Sequence, residues 1–346
     1  MKELGKLVRL EIQKLAPYSC ARNEYEGTAR VMLDANENPF NAPYNRYPDP
    51  LQRSLKQKIS KIKGVLPENI FLGNGSDEAI DLCFRIFCRP GIDNVVAIEP
   101  TYGMYRVAAD INAVEYRTVD LEADFALSAQ KLLASTDANT KIIFLCSPNN
   151  PTGNLLAPDE IRTVLKSFDG IVVVDEAYSD FSRQRPFRLE LAEWENMIVL
   201  NTFSKAWGCA GIRLGMAFAH RDIIEYFNKV KYPYNISQPT MREAERQLSC
   251  RADVDRWVAV IVEERARLMQ AVGELPFCTK IWHTDANFFL ARFTAAQHLY
   301  DYLVANGVIV RNRSSVHLCG DCLRITVGSP AENTELLSAM RHYNYK

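Results

Sequence analysis

The chain has no long apolar run. Nothing in its 346 residues approaches the ~18 consecutive apolar residues that a membrane helix needs. It also has almost no net charge, −1 from 41 basic and 42 acidic residues, so it exerts no long-range pull on nucleic acid or anionic membrane. Metal-ligand patterns are missing too. The five histidines (His220, His283, His298, His317 and His342) show no ligand spacing, and Cys319-Gly-Asp-Cys322 is the one C-x-x-C, without a second pair at zinc spacing. A metal site is therefore not expected. Nine cysteines, odd in number and scattered, argue for reduced, mostly buried thiols rather than a disulfide framework. There is no internal repeat and no low-complexity segment.

What is present describes a globular protein of 47% hydrophobic and 24% charged residues, long enough for two domains. Residues 1–29 form an arm. Within it, Met1 to Leu15 mixes charged residues with Leu4, Leu7, Val8, Ile12 and Leu15, which predicts an amphipathic helix rather than a secretory signal, so the cytoplasm is the expected compartment. Residues 30–234 alternate short apolar runs with helical stretches. Asn94–Ile98, Lys141–Cys146, Gly170–Val174, Met197–Leu200 and Gly215–Ala219 are expected strands. Asp77–Phe87, Tyr102–Asp110 and Pro158–Ser167 are expected helices. Such alternation predicts an α/β domain with a mostly parallel sheet covered on both faces, and ligands at the carboxyl ends of its strands. Residues 235–346 change character. Pro239–Val272 is long, charged and helical, and Ala286–Phe293, Val308–Arg311 and Cys322–Val327 alternate with period two, which predicts a smaller α+β domain.

Four motifs carry chemistry. Gly73-Asn74-Gly75-Ser76-Asp77 joins an apolar run to a helix, and free N–H groups at such an end suit a phosphate. Ser147-Pro148-Asn149-Asn150-Pro151-Thr152-Gly153 places an amide on a proline-stiffened loop at the exit of a strand. Asp175-Glu176-Ala177-Tyr178 ends the strand Ile171–Val174 with an acid, which is costly there unless a cation or donor meets it. Opposite a ring nitrogen, at 4 Å and an effective dielectric of ~20, its charge would favour the protonated ring by roughly 4 kcal/mol, about three pKa units. Finally, Lys205 in Asn201-Thr202-Phe203-Ser204-Lys205 follows the strand Met197–Leu200, close to Arg213. Poor solvation there would leave its amine free to attack a carbonyl near neutral pH.

Together and in this order, these pieces resemble the fold-type I pyridoxal 5′-phosphate (PLP) aminotransferases. The resemblance spans nearly the whole chain, from Leu33–Pro39 to Leu323–Gly328. Within that superfamily the chain looks most like the histidinol-phosphate aminotransferase branch, through Leu15–Tyr18, Asn45–Pro48, Pro100–Tyr105 and Leu323–Gly328. The resemblance implies that Lys205 carries the cofactor and shuttles a proton. It implies that Asp175 pairs with the ring nitrogen and that Asn150 and Tyr178 bond the ring hydroxyl. Tyr102 would stack on the ring. Ser76 and Asp77 through their backbone, with Thr202, Ser204 and Arg213, would hold the phosphate. Tyr47 would reach the cofactor of a neighbouring subunit, so a homodimer with composite sites is implied. Arg324, helped by Arg311 and Tyr18, would anchor the anionic group of the substrate, phosphate or carboxylate alike.

Two positions depart from common family wording, Ser76 where alanine is frequent and Cys209 where a small or apolar residue is usual; neither carries a catalytic side chain. The implied reaction exchanges an amino group between L-histidinol phosphate and 2-oxoglutarate. An aromatic-amino-acid aminotransferase would share every cofactor residue, and a phosphothreonine decarboxylase shares the fold. A cofactor-sensing regulator would need a DNA-binding module, which the short, weakly basic arm does not supply.

Overall fold

The computed structural model describes residues 4–18, 20 and 29–344. Seven strands build the larger sheet: β1 (Ile70–Asn74), β2 (Asn94–Glu99), β3 (Glu115–Asp120), β4 (Thr140–Cys146), β5 (Ile171–Asp175), β6 (Met197–Thr202) and β7 (Leu214–Ala219). They lie in the order β1-β7-β6-β5-β4-β2-β3. All neighbouring pairs from β6 to β3 are parallel, whereas β7 runs antiparallel to both β1 and β6. The apolar runs of the central strands divide by alternation between two cores. Val96, Ile143, Leu145, Val172, Val174 and Val199 pack on one face. Val95, Ala97, Phe144, Val173, Ile198 and Leu200 pack on the other. Full burial of one such side chain contributes roughly 1.5–3 kcal/mol, so both faces need helical cover.

The helix Ser76–Phe87 supplies part of that cover. It buries Ala79, Ile80, Cys83, Phe84 and Phe87 and carries Asp77 and Glu78 in its first turn, where the helix dipole favours acids. Its start is closed on β7: Gly75 N donates to Arg213 O at 2.7 Å. Gly215 makes that approach feasible, because a Cβ there would lie 2.1 Å from Ser76 N.

A second, four-stranded sheet has the order β10-β11-β9-β8, from β8 (Cys278–Ile281), β9 (Phe288–Phe293), β10 (Arg311–Asn312) and β11 (Cys322–Thr326). Its apolar face meets the helices Arg251–Gly273, Ala296–Ala305 and Pro330–His342 through Leu268, Phe289, Leu299, Leu323, Ile325 and Leu337.

Three expected elements differ. The helix foreseen over Met1–Leu15 is two short pieces among the described residues, Leu4–Lys6 and Leu10–Lys14. The chain turns between them, and Arg9 N bonds to Ile86 O at 3.0 Å instead of continuing a helix. The long helix over Pro239–Val272 is broken at Ser249-Cys250 into Gln238–Leu248 and Arg251–Gly273. The strand expected over Val308–Arg311 pairs with β11 only through Arg311 and Asn312. Strand β3 escaped the pattern altogether, since an edge strand reading Glu-Tyr-Arg-Thr-Val-Asp is mostly polar.

Candidate active site

The carboxyl ends of β4, β5 and β6 share one edge of the larger sheet, with Cys146 opposite Asp175 and Asp175 opposite Leu200. A cavity of about 180 Å³ opens there. One end is built from Gly75, Ser76, Asp77, Thr202, Ser204 and Arg213. The helix Ser76–Phe87 has no side-chain cap at Gly75, so its first N–H groups and its dipole point at this end. Thr202 Oγ1 accepts from Ser204 N at 3.0 Å, which turns the chain out of β6. Arg213, in the left-handed region at φ +54°, sets its guanidinium 3.4 Å from Asp77 Oδ2. A Cβ on Gly75 would lie 2.7 Å from Arg213 Nη2. Backbone donors, two hydroxyls and a guanidinium in one glycine-shaped cradle make a seat for an anion.

The opposite end is Asp175, which is buried. Its Oδ2 accepts from Tyr105 Oη at 2.7 Å and its Oδ1 from Ala177 N at 3.1 Å. Burial pushes its proton affinity above the usual carboxylate range, against the lowering effect of those two donors. A carboxylate so placed favours a cationic ring N–H in front of it.

Lys205 stands between the two ends, its Nζ 5.4 Å from the ring centre of Tyr178. The end of its side chain is open to the cleft, yet the enclosing walls are the largest cause lowering its proton affinity. The positive charge of Arg324 is the second cause, and Asp175 and Asp77 oppose both. A neutral amine is therefore more accessible here than on an ordinary lysine.

The side walls are aromatic and amide. Tyr102 Oη donates to Asp77 Oδ1 at 3.1 Å, and its ring meets Tyr105 edge-on at 5.6 Å. Tyr178 is buried against Phe288, with ring centres 5.0 Å apart. Asn149 locks the loop after β4 by donating to Pro100 O at 2.9 Å and to Thr152 Oγ1 at 2.8 Å. Asn150 is thereby turned into the cavity, where its Oδ1 accepts from Arg324 Nη1. Arg324 reaches this contact from β11, and Arg311 lies opposite it in register on β10.

Most of the residues singled out in the sequence meet at this cavity: Lys205, Asp175, Tyr178, Asn150, Tyr102, Ser76, Asp77, Thr202, Ser204 and Arg213 line it. Arg324 touches it through Asn150. Arg311, Tyr47 and Tyr18 are not among its lining residues. Tyr47 stacks on Tyr234 at 4.5 Å, and Tyr18 is 71% exposed. Tyr105 was missed as the donor to Asp175. Spacing gave no signal for it, since Tyr102 lies before the helix Met104–Ile111 that carries Tyr105 and the contact arises from tertiary packing. Among the described residues no cluster of His, Cys, Asp or Glu could hold a metal ion, and no helix is long and apolar enough to cross a membrane.

A lysine between an anion seat and a buried acid, on this sheet, defines a class that the family comparison reaches independently. Residues 21–340 match the aminotransferase class I and II family model, and the chain belongs to that family. Within it, the chain falls with the histidinol-phosphate aminotransferases. The protein of that name from Bacteroides fragilis is 58% identical over 99% of this chain and 100% of its own length. That from Bacteroides thetaiotaomicron is 56% identical over 99% of both. The solved structure of histidinol-phosphate aminotransferase from Sinorhizobium meliloti, in complex with pyridoxal-5′-phosphate, superposes with a TM-score of 0.79 at 22% identity, covering 89% of each chain, and bears out the fold.

Proposed function

We propose that this chain transfers the amino group of L-histidinol phosphate to 2-oxoglutarate, giving imidazole acetol phosphate and L-glutamate in histidine biosynthesis, with PLP bound covalently at Lys205. The observation that carries the reading is the placement of one amine of lowered proton affinity between an anion cradle and a buried acid. When bound, PLP supplies an aldehyde for attachment and an electron sink beside the bond that breaks.

The protein's own groups then have distinct tasks. The N–H groups of Ser76 and Asp77, the hydroxyls of Thr202 and Ser204, and Arg213 seat the phosphate. Asp175, held by Tyr105, keeps the ring nitrogen protonated. Asn150 and Tyr178 orient the ring through its hydroxyl, and Tyr102 covers one face. Lys205 Nζ would take the proton from the substrate α-carbon and later give it back, alternating between base and acid. Arg324, with Arg311 and Tyr18, anchors the far anion, phosphate in one half-reaction and carboxylate in the other.

Residues 30–234 act as the cofactor domain and 235–346 as the smaller substrate-side domain. Leu33, Phe40, Tyr44 and Tyr47 are exposed, which supports a homodimer in which Tyr47 serves the other subunit's cofactor. All nine cysteines are free, in keeping with a reducing cytoplasm.

The test mixes holoenzyme with L-histidinol phosphate and 2-oxoglutarate and follows glutamate. Borohydride should fix the cofactor on the peptide containing Lys205, and Lys205→Ala should abolish both signals. Preference for aromatic amino acids, or carbon dioxide release from phosphothreonine without 2-oxoglutarate, would replace the reading by the corresponding relative. Normal turnover in Lys205→Ala would end it.

A further inference from the structure

Three arginines share one face of the β10–β11 pair. Arg311 lies opposite Arg324 in register, and Arg313 N donates to Cys322 O at 2.8 Å, extending the ladder by one pair. Residues two apart on a strand point to the same side, so Arg311 and Arg313 both flank Arg324. Among the described residues no carboxylate forms an ion pair with any of the three. Arg324 meets only the Asn150 amide oxygen and the face of Phe288, 5.2 Å from its ring centre.

Part of this donor set is buried and unanswered among the described residues. Arg324 Nε, Arg313 Nε and the adjacent Ser314 Oγ all lack a hydrogen-bond partner. Buried polar groups are rarely left so, and three in one neighbourhood mark a place made for an acceptor. Electrostatics agree with the geometry. Burial, then the charges of Arg324 and Arg311, bring Arg313 down to about 10, and Tyr178 in the cavity wall acts on Arg313 and Arg324 alike.

A carboxylate has two oxygens in one plane, which a single guanidinium fork satisfies. A phosphate monoester at neutral pH has three terminal oxygens and a charge between about −1.5 and −2. Its third oxygen projects out of that plane and needs further donors. Resting on the reading above, we propose that Arg313 and Ser314 are the half of the anion seat that only a phosphate reaches. On this view Arg324 binds both substrates, whereas Arg313 sets the preference for the phosphorylated amine over glutamate.

The holoenzyme variants Arg313→Gln, Arg313→Lys and Ser314→Ala test this in the two half-reactions taken separately. Arg313→Gln should raise KM for L-histidinol phosphate by about tenfold more than KM for L-glutamate, the scale of one lost charge-assisted bond. Arg313→Lys should recover part of the difference, and Ser314→Ala should show a smaller loss of the same selectivity. Inorganic phosphate, used as an inhibitor of the glutamate half-reaction, should weaken in parallel while acetate does not. Equal losses on both substrates, or phosphate inhibition unchanged in Arg313→Gln, would overturn the assignment. If the unmodified enzyme fails to use L-histidinol phosphate, the proposed reaction falls, and the phosphate-against-acetate comparison still decides the role of Arg313. Should Arg313→Gln not fold, the lysine and Ser314→Ala variants carry the same comparison.

Discussion

Tyr105 Oη donates to Asp175 Oδ2 at 2.7 Å, and both side chains are buried at the end of β5. The bond favours the ionised acid, while burial, the larger effect, favours the protonated one. Tyr105→Phe leaves burial unopposed by the phenol, so Asp175 stays protonated to higher pH. The acid limb of the rate profile should move upward and kcat should fall by about tenfold, the scale of one hydrogen bond to a charged group. A pH–rate profile of the purified variant measures both, and an unmoved acid limb would show that Tyr105 only fills space.

Arg324 acts on Lys205 at a distance. Its positive charge is the second cause, after burial, of the lowered proton affinity at that amine. Arg324→Gln should therefore raise the lysine, reducing the neutral fraction at any pH below its midpoint. Capture of PLP by the apoenzyme, followed by absorbance across a pH series, should shift to higher pH. A shift in the opposite direction would contradict the electrostatic account.

Two glycines close together offer a steric contrast. A Cβ at Gly215 would lie 2.1 Å from Ser76 N and 2.2 Å from the Gly75 carbonyl carbon, both of them backbone. Gly215→Ala should cost about 1–3 kcal/mol in urea denaturation and weaken PLP binding more than tenfold, because the anion cradle is forced open. Gly211 has nothing within 4 Å of its Cβ position. Gly211→Ala should stay within about 0.5 kcal/mol of the parent.

The neighbour of Asp175 carries a pH dependence of its own. Burial lifts Glu176 from 4.5 to about 7, and its Oε2 has no hydrogen-bond partner, although Oε1 accepts from Phe187 N at 2.7 Å. Between these two pH values the folded state holds a proton that the unfolded state has released. Stability should accordingly fall as pH rises from 4.5 to about 7 and then level off. Glu176→Gln keeps the Phe187 contact and removes the titration. At pH 8 it should be more stable than the parent by roughly 1–3 kcal/mol, with the gain vanishing at pH 4. Urea midpoints at the two pH values measure the difference.

The Lys205 side of the cleft was legible because its residues come in compact segments. Gly73–Asp77, Ser147–Gly153, Asp175–Tyr178 and Thr202–Lys205 each leave the end of one strand, so reading the strands placed the motifs at one edge. Tyr105 was harder to see, since its role depends on tertiary packing, its ring stacked on Phe144 and its hydroxyl on Asp175, rather than on spacing. Arg313 was hidden for a related reason. The alternation that announced a strand over Val308–Arg311 stops short of it, and it gains its neighbours only through the pairing of β10 with β11. Tyr18 and Tyr47 were singled out by resemblance alone, and a single chain leaves both outside the cleft.

The reversal of β7 beside β6 has a mechanical consequence. Lys205 and Arg213 sit in the same short connection, clamped at its base by Thr202 opposite Gly215. The spacing between the Lys205 amine and the Arg213 guanidinium is thus measured out locally, like a gauge block, by the β6–β7 connection. The four-stranded sheet meets the cleft from the other side, through Phe288 on Tyr178 and Arg324 on Asn150, and lies outside that measured span.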